Sequence, residues 1–261
     1  MKTYRRGLSP EDKKGIVIFA AGAALLITLL CFVLWVIRSP EKQYDKHTLC
    51  NESLPRHAQQ LLIIDVSDAL SAHQRHFLRR HISGLLTSAK ENDRFSIFVL
   101  DDHYNGLSDP VIDLCKPRSA EDVSSLTANR TFVEDLYRER FEQPLEAAIA
   151  RAVNGHAQPV SPIYEALSDV ASLDRIDPRA EDVSLTIVSD MIQNSRAGSV
   201  FSSGPAAIEK LPPIDLRRAR TTVFWLDRAK YRRYQTDALA SSWENYLGSV
   251  SRFEQLERVR D

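Results

Sequence analysis

From Gly15 to Ile37 the chain reads GIVIFAAGAALLITLLCFVLWVI, without one charged residue. A helix of that length crosses the ~30 Å hydrocarbon layer of a bilayer. The alternative, a buried helix of a soluble domain, is rarely apolar on every face. A cleaved signal peptide has a shorter apolar core and small residues at its exit, whereas this run leaves through WVIRSP. The reading is an uncleaved transmembrane helix over residues 15–37, preceded by a short tail, 1–14. Lys2, Arg5, Arg6, Lys13 and Lys14 precede the span, and Arg38, Lys42, Lys46 and Arg56 follow it. The slight excess before the span predicts a cytoplasmic N-terminus, with the rest periplasmic in a bacterium and lumenal or extracellular otherwise. Ala20, Gly22 and Ala24 form a small-residue surface that suits packing against another helix, including a second copy.

Residues 38–58, RSPEKQYDKHTLCNESLPRHA, are polar, hold two prolines and show neither helical nor strand periodicity, so they read as a linker. That leaves residues 59–261 as one domain. Lys+Arg at 34 against Asp+Glu at 35 argues against bulk attraction to nucleic acid and leaves only a local patch open. No Gly-rich phosphate loop, CxxC, HExxH or GxSxG occurs, and no catalytic constellation is expected. Outside the span only Cys50 and Cys115 occur; two cysteines in an exported domain often pair, the alternative being two buried thiols. The sequons at Asn51 and Asn129 matter only on a eukaryotic secretory route.

Four short runs, QQLLIIDV, RFSIFVL, VSLTIVSD and TTVFWLD, are apolar and β-branched or aromatic, as central strands buried on both faces must be. PVIDLC reads as a shorter edge strand. Helical stretches alternate with them, predicting an α/β domain with a mainly parallel sheet. RTFVEDLYRERFEQPLEAAIARAV is helical with Pro144 starting a new helix or kinking a long one, and SPIYEALSDVASL opens with Ser161 as cap. The last helix is expected from about Gln235 to Val259, with Leu239, Trp243, Tyr246, Leu247, Val250 and Phe253 on one face.

Three of these segments end in hard oxygen donors. Asp65 and Ser67 follow the first strand, Ser161 opens a helix, and Ser189 and Asp190 end a later strand. In an open parallel sheet, strand carboxyl ends gather on one surface, so these groups can converge there. Carboxylates and hydroxyls suit Mg²⁺, Ca²⁺ or Mn²⁺ rather than zinc.

IIDVSDALS, SPIYEAL and VSDMIQNS, in that order, resemble the motifs of the von Willebrand factor A domain and its metal-ion-dependent adhesion site. The pattern there is D-x-S-x-S, then a threonine, then an aspartate. Asp65 and Ser67 match its first two positions, Ser161 stands at the threonine, and Asp190 matches the last motif. Ala69 stands where the second serine belongs. Asp68 and Ser71 are the residues nearest to compensate, although Asp68 is expected to point away. The resemblance covers residues 58–255 and implies a Rossmann-like domain whose ion, held by Asp65, Ser67, Ser161 and Asp190, accepts an acidic residue from a protein partner. The rival readings are a metal-free scaffold assembled through its transmembrane helix and a metal-dependent phosphoester hydrolase. The hydrolase lacks the additional carboxylates and histidines that a two-metal site needs.

Two other clusters read as solvated surface. His73, His76 and His81 share a helix with Arg75, Arg79 and Arg80, a poor environment for a metal. Asp101, Asp102 and His103 precede an Asn-Gly turn, with no nucleophile in reach. The Gly-, Ser- and Pro-rich stretch after Asp190 is expected to be a binding loop.

Overall fold

The computed structural model describes residues 10–37, 44–100, 109–123, 130–153 and 159–260. Asp101, Asp102, His103 and Asn129 lie outside them, as do residues 1–9 and 38–43. The chain divides into two compact units, Met1–Tyr44 and Asp45–Asp261.

The first unit holds helix α1, Pro10–Ile37. Among the described residues it is the one helix long and apolar enough to cross a membrane, over Lys13–Trp35 at a mean hydropathy of 2.8. Its apolar side chains, from Ile16 to Trp35, are exposed. Thr28, its polar exception, donates its hydroxyl to the carbonyl of Ala24 at 2.8 Å, satisfying the group within the helix.

The second unit runs β1 (Arg56–Asp65), α2 (Ala72–Ser88), β2 (Arg94–Leu100), β3 (Ile112–Cys115), α3 (Arg130–Tyr137), α4 (Gln143–Val153), α5 (Ile163–Ser172) and β4 (Ala180–Ser189). It continues with α6 (Val200–Ser203), α7 (Ala206–Glu209), β5 (Leu216–Leu226), α8 (Asp237–Val250) and β6 (Ser251–Val259). The six strands form one sheet in the order β3-β2-β1-β4-β5-β6, parallel except for β3, which runs antiparallel to β2. This is the Rossmann-like α/β arrangement expected from the sequence, with the strand order reversing between β1 and β4.

Alternation along each strand divides the core in two. Leu61, Ile63, Phe98, Leu185, Ile187, Val223 and Trp225 face α5 and α8. Leu62, Ile64, Phe95, Ile97, Val188 and Phe224 face α2 and α4. Both faces are covered, which is why these strands read as unbroken apolar runs. Each fully buried large side chain contributes about 1.5–3 kcal/mol.

Three local features differ from the sequence reading. The last helix stops at Val250, and Ser251–Val259 forms β6 beside β5. Phe253, Leu256 and Val259 recur every third residue, a spacing that mimics a helix. They serve instead as the few core contacts of an otherwise exposed edge strand. Between α3 and α4 the chain makes a π-helical turn, Arg138–Glu142, just before Pro144. The wider turn accommodates a residue with no N–H to donate, and the two helices join through it rather than through a break.

Residues 45–58, taken as part of a linker, are in the compact unit. Cys50 and Cys115 are joined in a disulfide. Asn92, in a left-handed conformation at φ 69°, donates its amide to the carbonyls of Asn51, Leu54 and Pro55 and accepts from Asn51 N–H at 2.8 Å. Asn51 itself is buried, so a glycan there would not fit the folded unit.

Candidate metal centre at the switch point

Where the strand order reverses, β1 ends in Asp65 and β4 ends in Ser189, followed by Asp190. The parallel register sets these two tips side by side, with Ile64 opposite Val188. Asp65, 2% exposed, is held by three donors. Ser67 N–H donates to its Oδ1 at 2.9 Å, and the hydroxyls of Ser161 and Ser189 each donate to its Oδ2 at 2.8 Å. A hydroxyl that donates its hydrogen to Asp65 still accepts through its oxygen: that of Ser189 takes the Met191 N–H at 2.9 Å, while Ser161 lines a small cavity. Asp65 therefore orients two hydroxyl oxygens.

Ser161 does not cap α5: the helix begins one residue too late for that, at Ile163, and the Ser161 hydroxyl donates to Asp65. Pro162 occupies the cap position, and Gln193 Oε1 accepts from Tyr164 N–H at 2.9 Å in the first turn. Backbone pairing of Ser161 with Asn194 fixes the α5 entrance to the loop after β4. That loop is not unstructured: it contains α6 and α7.

Asp190 lies 4% exposed. Ile192 N–H donates to its Oδ1 at 2.9 Å, and the turn is pinned by Met191, which takes φ 59°. Trp243 Nε1–H donates to the Met191 carbonyl at 2.8 Å, holding this strained residue in place. Burial, and then the charge of Asp65, push the Asp190 carboxyl up to about 8. The nearby charge of Arg228 does not offset these two effects, so the Asp190 carboxyl favours its protonated form near neutrality.

Ser67, Asp68, Ser161 and Asp190 line one small cavity with Ile192, Asn194, Phe201 and Tyr231. Its volume of ≈ 10 Å³ suits a single water or ion and no organic substrate. The structure thus brings Ser67, Ser161 and Asp190 around one cavity, with Asp65 bonded to two of these elements. An all-oxygen set with two carboxylates and several hydroxyls fits a small hard cation. Among the described residues no group of three or more His, Cys, Asp or Glu is placed to hold a metal, so hydroxyls and water would supply the remaining oxygens.

Position 69 behaves differently from the sequence expectation. Ala69 is exposed, while Asp68, expected to point away, is buried and lines the cavity. The loop is turned this way because Arg228 donates to the carbonyls of Ala69 at 2.6 Å and Asp68 at 3.2 Å. Lys230 forms an ion pair with the Asp68 carboxylate. Gln235 bridges the same elements, donating to the carbonyls of Asp190 at 3.0 Å and Leu226 at 2.8 Å. Ser71 is engaged elsewhere, in a capping box with Gln74 at the start of α2.

The histidine helix keeps its surface reading. His73, His76, Arg79 and Arg80 are exposed, and His81 packs edge-on to Phe224 at 4.7 Å, its pKa lowered by burial.

No family model matches the chain, and no curated protein matches it. Among solved structures, it is similar to an aerotolerance-related membrane protein from Bacteroides fragilis NCTC 9343 carrying multiple mutations to serines. The two are 9% identical, and the match covers 76% of this chain and 92% of that chain with a TM-score of 0.33.

Proposed function

We propose that this chain is a membrane-anchored protein-binding module of the von Willebrand factor A type, acting within an envelope or surface complex. The observation that carries the reading is the meeting of Ser67, Ser161 and Asp190 around a cavity sized for one ion at the switch point of the sheet, with Asp65 bonded to Ser161 and to the Ser67 N–H. Asp65 would orient Ser161 and Ser189, and Ser67 and Asp190 would complete the protein's share of the shell. A bound Mg²⁺, Ca²⁺ or Mn²⁺ would supply the electrophile that accepts a partner's Asp or Glu carboxylate. No residue here is assigned a role in bond cleavage.

The anchor is residues 15–37, with the N-terminus cytoplasmic and the domain on the exported side, the periplasm in a bacterium. The Cys50–Cys115 disulfide supports an oxidising compartment for the domain.

A thermal-unfolding titration with Mg²⁺ or Mn²⁺ tests the ion. The melting temperature should rise with the cation in the parent protein and stay flat in Asp65→Ala. A flat parent curve removes the ion from the reading. The second reading, a metal-free scaffold, then gains, and one observation favours it: Lys230 and Arg228 already set positive charge beside the acidic cavity. Crosslinking in native membranes would identify the partner under either reading.

A further inference from the structure

A second cleft lies beside Arg228 and Gln235. It has a volume of ≈ 460 Å³ and is lined by Asp227, Arg228, Ala229, Arg232, Gln235, Arg258 and Arg260. The volume lies within the range of ordinary ligand sites. Four arginines and one aspartate are among its lining residues. Arg228 is the buried one, fixed by the carbonyls of Ala69 and Asp68 and by Gln74 Oε1 at 3.1 Å. Its Nε–H has no hydrogen-bond partner among the described residues. Arg258 lies over the Trp225 ring at 5.3 Å and pairs with the fully exposed Asp237. Arg232 and Arg260 are exposed and form no ion pair among the described residues.

Arginines gathered this way repel one another unless an anion enters among them. The cleft does not suit a compact phosphate. Its arginines come from two separate segments, the one after β5 and the end of β6, and Asp227 stands among them, so they do not converge on a single anion. Spaced single charges on an extended chain match it better, since a guanidinium takes a carboxylate in a planar, bidentate fashion.

We propose that this cleft is an anion-binding subsite for an acidic segment of the partner protein, whose Glu or Asp carboxylates meet Arg232, Arg258 and Arg260. It rests on the protein-binding reading above but not on the ion. Arg228 and Gln235 form the wall shared with the candidate metal centre, because one holds the Asp68 and Ala69 carbonyls and the other holds that of Asp190. A partner chain can therefore span both places.

The test uses the full chain in a neutral detergent, with EDTA present, and a fluorescently labelled Glu-rich peptide followed by anisotropy. The peptide should bind, weaken as salt rises, and lose about tenfold in affinity in the Arg232→Gln/Arg260→Gln variant. The same peptide with Gln in place of Glu should not bind. Melting curves of the double variant, expected to match the parent, show that the fold is kept. Two results overturn the proposal: parent-like affinity in the double variant, or displacement of the peptide by millimolar inorganic phosphate beyond the effect of chloride at equal ionic strength. Because EDTA is present throughout, peptide binding with no Mg²⁺-dependent melting shift would remove the ion and leave the cleft standing.

Discussion

Replacing Asp177 by alanine should be among the most damaging single changes at the end of the sheet where β1 and β2 begin. Asp177 is 3% exposed and precedes β4; Arg56, 4% exposed, starts β1, and Arg94 starts β2. The Asp177 carboxylate pairs with Arg56, accepts from Arg94 at 3.2 Å, and accepts from Arg179 N–H at 2.8 Å. Arg94 would keep Asp113 as a partner. Arg56 would be left with the Asn92 carbonyl at 3.4 Å and a terminal nitrogen that already lacks a partner. Stranding a buried guanidinium costs about 3–5 kcal/mol. For a domain of this size that is a fall of about 6–20 °C in melting temperature. Circular dichroism melts of the detergent-solubilised chain measure it. The double change Arg56→Met/Asp177→Leu removes both charges and should recover to within about 1 kcal/mol of the parent. A loss below about 1 kcal/mol for Asp177→Ala, the range of an exposed pair, would refute the reasoning. The pH dependence carries the same signature. Burial favours the protonated carboxyl, but the Arg179 N–H and the Arg56 and Arg94 guanidiniums outweigh it and hold the pKa below 3.8. A depressed pKa contributes stability that is present above the unfolded value and is lost as pH falls through the folded one. The contribution of Asp177 is therefore intact at neutral pH and disappears only in acid.

Three further outcomes are expected. Lys230→Met, which releases the Asp68 carboxylate into the cavity, should tighten Mn²⁺ binding by about tenfold in the melting titration, and weaker binding would show that Lys230 does not compete with the ion. Ala69→Ser should change Mn²⁺ affinity by less than about twofold, because position 69 is exposed and outside the cavity wall, whereas Asp68→Asn should weaken it; a marked gain from the serine would mean that the loop turns when the ion arrives. Removing the disulfide with Cys50→Ala/Cys115→Ala opens a link across a sequence separation of 65 and should cost about 4 kcal/mol in denaturant unfolding, a cost that vanishes if both forms are compared under reducing conditions.

The four strands β1, β2, β4 and β5 were legible because burial on both faces leaves a continuous apolar run, of which LLIID and LTIVS are the plainest. The sixth strand was not. At a sheet edge the side chains of SRFEQLERV are mostly in water, so the alternation that marks a strand is lost, and three apolar residues spaced by three imitate a helix. The site divides the same way. Asp65, Ser67, Ser161 and Asp190 stand at element boundaries, where a polar residue after an apolar run is conspicuous. Arg228, Lys230 and Gln235 are ordinary surface residue types in sequence. They act on carbonyls and a carboxylate some 45 to 162 residues away, which only the folded chain brings near. The orientation of Asp68 and Ala69 was misread for that reason: the loop's twist is set by Arg228 and not by its own residues.

The disulfide also sets how a load would travel through the domain. After α1 the chain reaches Cys50 before it reaches β1 at Arg56. Tension between the bilayer and a partner held at the tip of β1 would divide at that bond. One share follows the backbone through Asn51 and Leu54 into β1. The other crosses to Cys115, at the end of β3, and spreads sideways through the β3–β2–β1 hydrogen-bond ladder. Such a load would enter the sheet through β3 as well as through the start of β1, so the first residues of β1 would not carry it alone.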